Sequence, residues 1–227
     1  MEKDLETGHW HPISSAILQI REIFDELGFE IAEGPELEDE GHNFDALNVP
    51  KDHPSRDMQD TFWLKQPKNS QFLISNSQKN QKLLLRTHTS PVQVRYMEQK
   101  IKEGIKPPFR IIAPGKVFRN EATDATHEAQ FFQCEGLYVD KEVSLAQLKW
   151  TLLYFFKKYL GENAEIRLRP SFFPFTEPSV EVDVKFGDKW LEMAGAGLVH
   201  PNVFKAVGLE SYTGFAFGTT IDRFIMV

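Results

Sequence analysis

The chain has 227 residues, 41% of them hydrophobic, which is enough for one large core and short for two, so a single domain is expected. Its one cysteine, Cys134, cannot form an internal disulfide, no four-ligand Cys/His cluster offers a zinc site, and no apolar run approaches the ~18 residues of a membrane span; a reducing, cytoplasmic setting away from membranes is expected. A formal net charge of −7 argues against strong non-specific nucleic-acid binding by this region, because Lys and Arg neutralising phosphates supply most of that affinity.

The N-terminal MEKDLETGHW lacks the basic-then-apolar order of a signal peptide. Ile13, Ile17, Ile20, Phe24 and Leu27 then recur at helical spacing, predicting an amphipathic helix that ends at Gly28. A short strand, 29–31, runs into Gly34-Pro35, and the polar stretch 48–60, with two prolines, reads as a loop. Ser90-Pro91 opens a second helix, with Ser90 as N-cap, Pro91 at the first helical position and Gln93 completing a capping box. Val94, Met97 and Ile101 share a face of that helix, and Lys100, Lys102 and Lys106 read as solvated. From Arg110 the period becomes two, giving strands 110–121 and 130–139 joined by a polar loop. A third helix buries Leu145, Leu148, Leu152, Phe155 and Tyr159. Val180, Val182, Val184 and Phe186 alternate with polar residues, and Gly187-Asp188 turns the chain into Trp190–Met193, a hairpin. Hairpin-linked strands with helices set outside them predict an α+β fold with an antiparallel sheet.

The stretch 117–135, VFRNEATDATHEAQFFQCE, is richest in chemistry. Strand alternation places Arg119 and Glu121 on one face, ~6.6 Å apart, and Phe131, Gln133 and Glu135 on one face of the returning strand. Such a set suits a nucleotide and a small zwitterion: a guanidinium pairs with phosphate or carboxylate, an aromatic face stacks a purine, and carboxylates accept from ammonium. Pattern alone equally fits a solvated amphipathic hairpin with a cross-strand ion pair. GAG at Gly195–Gly197 lacks the Lys-Ser/Thr of a phosphate-binding P-loop, and small residues there would let substrate approach the backbone.

Phe118, Arg119, Glu121, His127 and Phe131 resemble motif 2 of the class II aminoacyl-tRNA synthetases. The helix, strand and proline ending at Pro35 resemble motif 1, and GFAFGTTIDR, with Gly214, Gly218 and Arg223, resembles motif 3. Six further stretches are similar to phenylalanyl-tRNA synthetase α subunits of bacterial type: RTHTSPVQVRYM, HPSRDMQDTFWL, DATHEAQFFQCEG, FFPFTEP, GAGLVHPNVF and GFAFG. This resemblance spans nearly the whole chain. It implies the class II synthetase fold and an amino-acid pocket on His88, Ser90, Gln93, Arg119, Gln133, Glu135, Phe173, Phe175, Ala216 and Gly218. Phe173 and Phe175 would pack on the substrate ring and Ala216 would close its far end. Without the resemblance, the two phenylalanines read as core, His88 as a structural histidine, and Ser90 with Gln93 as a helix cap.

The ATP side, by the same resemblance, falls on Arg119 at the α-phosphate, Glu121 at the adenine amino group, His127 near the outer phosphates, Phe131 under the adenine, and Arg223 over its other face and at the terminal phosphate. Glu177 and Glu192 are the Mg²⁺ candidates, since magnesium takes carboxylates with substrate phosphates; Glu192 reads equally as a surface residue. The resemblance implies phenylalanyl-adenylate formation, transfer to tRNA(Phe), and an α₂β₂ heterotetramer with a β subunit. It makes 1–227 one catalytic domain lacking the family's N-terminal helical hairpin and C-terminal continuation. Thr219, Thr220 and Asp222 depart from the usual motif 3. A synthetase-like binding protein without turnover, or another class II specificity, are the rival readings; the retained Arg119, Glu121, His127 and Arg223 oppose the first, and FFPFTEP with THTSPVQ opposes the second.

Overall fold

The structure is a computed structural model that describes residues 8–57, 60–65, 82–120 and 128–226. Helix α1 (Pro12–Asp25) starts where Pro12 fixes the first turn and the His11 imidazole accepts from the Ile13 N–H at 3.2 Å. It buries Ile13, Ala16, Ile20, Ile23 and Phe24, and the chain leaves it through Gly28 at φ +73°, a left-handed conformation that glycine adopts without a Cβ clash. Strand β1 (Glu30–Ile31) follows, then β2 (Leu37–Asp39), the one-turn helix α2 (Glu40–Asn43) and β3 (Leu83–Leu85). The segment read as loop holds a short 3₁₀ turn, Pro54–Arg56, capped by His53.

Helix α3 (Ser90–Lys102) leads to the long hairpin β4 (Phe109–Phe118) and β5 (Gln130–Asp140). Helix α4 (Leu145–Leu160) carries a capping box, with Ser144 and Gln147 bonding each other's backbone N–H groups. The chain then runs through β6 (Ile166–Phe173), β7 (Thr176–Phe186), β8 (Lys189–Val199), α5 (Pro201–Val207), β9 (Thr213–Thr220) and α6 (Ile221–Ile225).

Among the described residues, seven strands form one sheet in the order β1-β4-β5-β9-β8-β7-β6. Every pairing is antiparallel except β1 with β4, which is parallel: Glu30 pairs with Ile111 and Ile31 with Ile112. The expected antiparallel sheet flanked by helices is therefore present, with a parallel strand at its edge. Strands β2 and β3 make a separate small pair.

Alternation along each strand sends side chains to opposite faces, and each face builds its own core. Behind the sheet, α1, α4 and α6 pack on Cys134, Phe215 and Phe217, with the Phe24 ring 5.0 Å from Phe155 and 5.3 Å from Phe217. In front, α3 and α5 cover Ile111, Ala113, Leu137 and Val139. The part of the front face that these helices leave open is the concavity described next.

Candidate functional site

A cavity of about 350 Å³ opens on the front of the sheet. Its floor comes from Gln133 and Glu135 on β5, Ala216 and Gly218 on β9, and Gly195 on β8. Neighbouring register explains the grouping: Glu135 pairs with Gly218, which pairs with Gly195. Gly218 leaves room for Glu135, since a Cβ there would lie 3.1 Å from Glu135 Cγ. Gly195 and Ala196 of the GAG segment line the cavity, and its two glycines also permit close packing. A Cβ on Gly195 would meet the Phe173 ring at 2.9 Å, and one on Gly197 would meet the Pro178 carbonyl at 2.5 Å.

The aromatic wall is the β6–β7 turn. Phe173 and Phe175 stack with ring centroids 5.9 Å apart and planes 9° apart. Ser179 Oγ accepts from the Phe173 N–H at 3.0 Å and lies 2.7 Å from Thr176 Oγ1, and Asn48 Nδ2 donates to the Pro174 carbonyl at 2.7 Å. These bonds fix the turn that presents both rings. Sequence reasoning missed much of the opposite wall. Leu47, Val49, His53 and Ser55 line the cavity from the stretch around the predicted loop, together with Val199 and Val203. HPSRDMQDTFWL was the available signal, but nothing local says that a loop folds back over a sheet.

The polar end centres on Glu135, which is buried. Ser90 Oγ donates to Glu135 Oε2 at 2.5 Å and Gln93 Nε2 donates to the same oxygen at 2.9 Å. The predicted capping box at Ser90 is therefore absent. Thr89 holds the N-cap position without a side-chain bond, and Ser90 and Gln93 lie inside the helix, turned toward the carboxylate. Burial pushes the Glu135 carboxyl up to about 7, against the lowering influence of Ser90, the Thr89 backbone, Arg119 and Arg86. His88 is driven to about 3, by burial first and then by Arg119, so its ring is neutral, and its buried Nδ1 has no hydrogen-bond partner among the described residues. Gln133 Oε1 is likewise buried without a partner among the described residues. His88, Ser90, Gln93, Arg119, Gln133, Glu135, Phe173, Phe175, Ala216 and Gly218 all line this one cavity. An apolar aromatic end with an acceptor-rich buried end suits a small amphiphile that carries an ammonium group.

Beyond the cavity, the Arg119 guanidinium carbon lies 4.9 Å from the Phe131 ring centroid, and its Nε donates to the Thr87 carbonyl at 3.3 Å. Glu121 and His127 lie outside the described residues. Arg223, on α6, donates from Nη1 to the Glu192 carbonyl at 2.7 Å. The motif 3 departures have structural partners: Thr219 Oγ1 donates to the Met193 carbonyl at 2.6 Å, and Asp222 accepts from the Phe132 N–H at 2.8 Å, tying α6 to β5.

The two metal candidates do not converge. Asp183 pairs with Glu192 and Thr176 with Val199, so Glu177 and Glu192 sit at opposite ends of the β7–β8 ladder, about 20 Å apart at strand rise. The Glu192 carboxylate is 3.9 Å from Arg169 Nη2, on a residue whose main-chain carbonyl accepts from Arg223, and such a carboxylate can share a hard cation with phosphate oxygens. Glu177 is exposed and paired with His200 Nε2 at 3.3 Å. Glu38, Asp39 and His42 also cluster their ligand atoms, but Arg95 already neutralises both carboxylates.

A family described as the tRNA synthetases class II core domain (F) matches residues 1–227. The chain is 47% identical over 239 residues to the phenylalanine–tRNA ligase alpha subunit of Bacillus mycoides, with the alignment covering 99% of this chain and 64% of that one. The alpha subunit of Bacillus cytotoxicus gives the same identity and coverage. The chain thus spans about two thirds of the length of these relatives, just under that share. Among solved structures, pyrrolysyl-tRNA synthetase from Desulfitobacterium hafniense superposes with a TM-score of 0.69 at 16% identity, covering 94% of this chain and 68% of that chain, a likeness of fold. With the match running from end to end and the seven-stranded sheet in place, the chain belongs to the class II tRNA synthetase core domain family.

Proposed function

We propose that residues 1–227 form a single catalytic domain that activates L-phenylalanine with ATP and passes it to tRNA(Phe), as part of an α subunit acting with a β subunit in an α₂β₂ assembly in the cytoplasm. One observation carries the reading: an aromatic-walled cavity is lined by a buried carboxylate, Glu135, and by His88 and Gln133, whose buried Nδ1 and Oε1 have no partner among the described residues. An ammonium group has three N–H donors and would satisfy such a set. The substrate ring would then lie by Phe173 and Phe175, with Ala216 at its far end. The 47% identity to phenylalanine–tRNA ligase alpha subunits supports the choice of amino acid.

In this reading the phenylalanine carboxylate attacks the α-phosphorus of ATP; the new P–O bond forms as the bond to the bridging oxygen breaks, and pyrophosphate leaves with that electron pair. The nucleophile is already anionic, so no general base is required. Arg119 would hold the α-phosphate, Phe131 the adenine and Arg223 the terminal phosphate, with Glu121 and His127 assigned to the adenine amino group and outer phosphates. Catalysis consists of alignment and charge neutralisation by these groups. Glu192, with phosphate oxygens, would hold Mg²⁺, which when bound supplies further charge neutralisation; an ion at Glu177 would be a separate one at the exposed rim. In the second step a hydroxyl of the tRNA's terminal adenosine, the 2′-OH in this family, takes the acyl group and AMP leaves.

The test is ATP–pyrophosphate exchange by the full-length α subunit purified with a β subunit. Exchange should depend on phenylalanine and run at least about tenfold slower with tyrosine at equal concentration. No phenylalanine-dependent exchange, or equal exchange with tyrosine, overturns the reading.

A further inference from the structure

Arg86 follows β3 directly and is buried, and it is absent from every motif role assigned above. Its Nε donates to the Lys116 carbonyl at 2.7 Å, and its Nη1 donates to the Gly34 carbonyl at 3.0 Å and the Pro35 carbonyl at 3.4 Å. Its backbone is held too: the Arg86 N–H donates to the Glu36 carbonyl at 2.9 Å, and the Arg86 carbonyl accepts from the Phe118 N–H at 2.9 Å. The guanidinium occupies the space that Gly115 leaves empty, since a Cβ at Gly115 would overlap Nη2. Gly115 is the register partner of Gln133, so this cation lies on the front face beside the polar floor of the cavity.

All the hydrogen bonds described for this side chain go to main-chain carbonyls, which a neutral donor could also satisfy. Burying a cation costs free energy, and burial lowers the Arg86 pKa accordingly. The cation is offset in part by nearby carboxylates. Glu36, Glu38 and Glu135 are the carboxylates that sense it, and of these only Glu135 lines the cavity. Arg86 also precedes His88 and Ser90 by two and four residues, so anchoring it anchors the segment that carries both.

We propose that Arg86 is a positioning residue for amino-acid binding: its guanidinium clamps the Gly34–Pro35 turn to β4, holds His88 and Ser90 at the cavity and keeps a positive charge beside Glu135. The proposal rests on reading the cavity as the phenylalanine site. The groups facing Glu135 among the described residues are Ser90 and Gln93 from α3, Arg86, His88 and Thr89 from the segment before it, Arg119 from just past β4 and Gly218 from β9. Of these only Arg86 and Arg119 carry charge at neutral pH, and both favour the ionised carboxylate.

The experiment measures Kd for phenylalanine and for ATP by calorimetry between about pH 5.5 and 9, roughly the span around the Glu135 ionisation at about 7, using the full-length α subunit in its complex with β. Arg86→Gln should weaken phenylalanine binding about tenfold or more while ATP affinity changes by less than about twofold. Its acid-side midpoint for phenylalanine binding should move to higher pH, because the influence that favours the Glu135 carboxylate is gone. Arg86→Lys, which keeps the charge and loses the fork, should weaken phenylalanine binding with the midpoint in place. Gly115→Ala displaces the guanidinium without altering it and should reproduce the selective loss for phenylalanine, which decides the matter if Arg86→Gln does not fold. Equal loss for both ligands with an unmoved midpoint, or a Gly115→Ala protein with unchanged phenylalanine affinity, overturns the proposal. Wild-type protein that binds no phenylalanine overturns the functional reading and the clamp with it; normal wild-type binding alongside an Arg86→Gln variant indistinguishable from it overturns the clamp alone.

Discussion

Glu135 combines burial with two side-chain donors on a single oxygen, and the balance leaves its pKa near 7, above the ordinary carboxylate range. The sign follows from that shift. A folded-state pKa raised above 4.5 contributes stability that is complete below that value and is lost as pH rises through about 7. An ammonium placed beside the carboxylate favours the charged form, so phenylalanine binding near pH 6 should release a proton, and binding well above pH 7 should release almost none. Calorimetry in buffers of different ionisation enthalpy reads this directly; proton uptake near pH 6 would contradict the ammonium assignment. Arg119 joins the cavity to the proposed phosphate side, with its guanidinium over Phe131. Removing a donor aimed at developing phosphate charge typically costs about 10²- to 10³-fold in rate, so Arg119→Ala should lower pyrophosphate exchange at least that far with circular dichroism unchanged. Near-normal exchange in the αβ assembly would rule that role out.

At the scale of elements, two serines at helix starts have opposite fates. Ser144 caps α4 in a reciprocal box with Gln147, whereas Ser90 lies inside α3 and gives its hydroxyl to Glu135. Loss of a serine cap costs ~1 kcal/mol, so Ser144→Ala should lower the unfolding free energy by about that much and leave phenylalanine affinity alone. Helix α4 packs behind the sheet, away from the cavity. Ser90→Ala should do the reverse, weakening phenylalanine binding while the stability of α3 hardly changes. Denaturant titration and ligand titration on both variants separate the two roles, and equal effects on both readouts would show that the elements are not independent. The β4–β5 hairpin explains why Gln133 and Glu135 face the cavity while Cys134 is buried behind: strict alternation in a ten-pair register permits nothing else.

The whole molecule decides the shape of the cavity, because its walls come from strands far apart in sequence. Ala216 on β9 lines the same space as Phe175 beside the β6–β7 turn, Val203 on α5 and Leu47 near the N-terminal third. A hydrophobic pocket discriminates by ~1 to 3 kcal/mol per methylene-sized change, so Ala216→Gly should admit para-chlorophenylalanine, shifting its exchange rate relative to phenylalanine by about tenfold or more. Equal loss toward both amino acids would mean that Ala216 only stiffens its strand. The net charge of −7 belongs to this scale as well. It is a poor match for a long polyanion, so the proposed tRNA substrate would find little non-specific affinity on these 227 residues.

Local periodicity sufficed for what depends on spacing: the faces of α1 and α4, the two hairpins, and the alternation that sets Gln133 and Glu135 on one side. The resemblance in motif residues supplied the rest of the candidate pocket, because those stretches keep their residues in order whatever lies between them. Contacts between distant segments were decided only by the tertiary structure. Ser90 and Gln93 have the spacing of a capping box, but Glu135, some 45 residues on, accepts from both and outcompetes the helix end. Strand β1 is parallel because the chain passes through α3 before β4 begins, a path that no two-residue period encodes. Glu177 and Glu192 are two separate Mg²⁺ candidates in the sequence, and the β7–β8 register sets them far apart along the ladder. Arg86 opens the stretch RTHTSPVQVRYM, but the resemblance assigns it no role there, and its meaning comes from the empty space at Gly115 and from three carbonyls on two other segments. Spacing along the chain fixes which side chains share a face; which faces meet is set by the burial of two cores on one sheet, and that is a property of the whole fold.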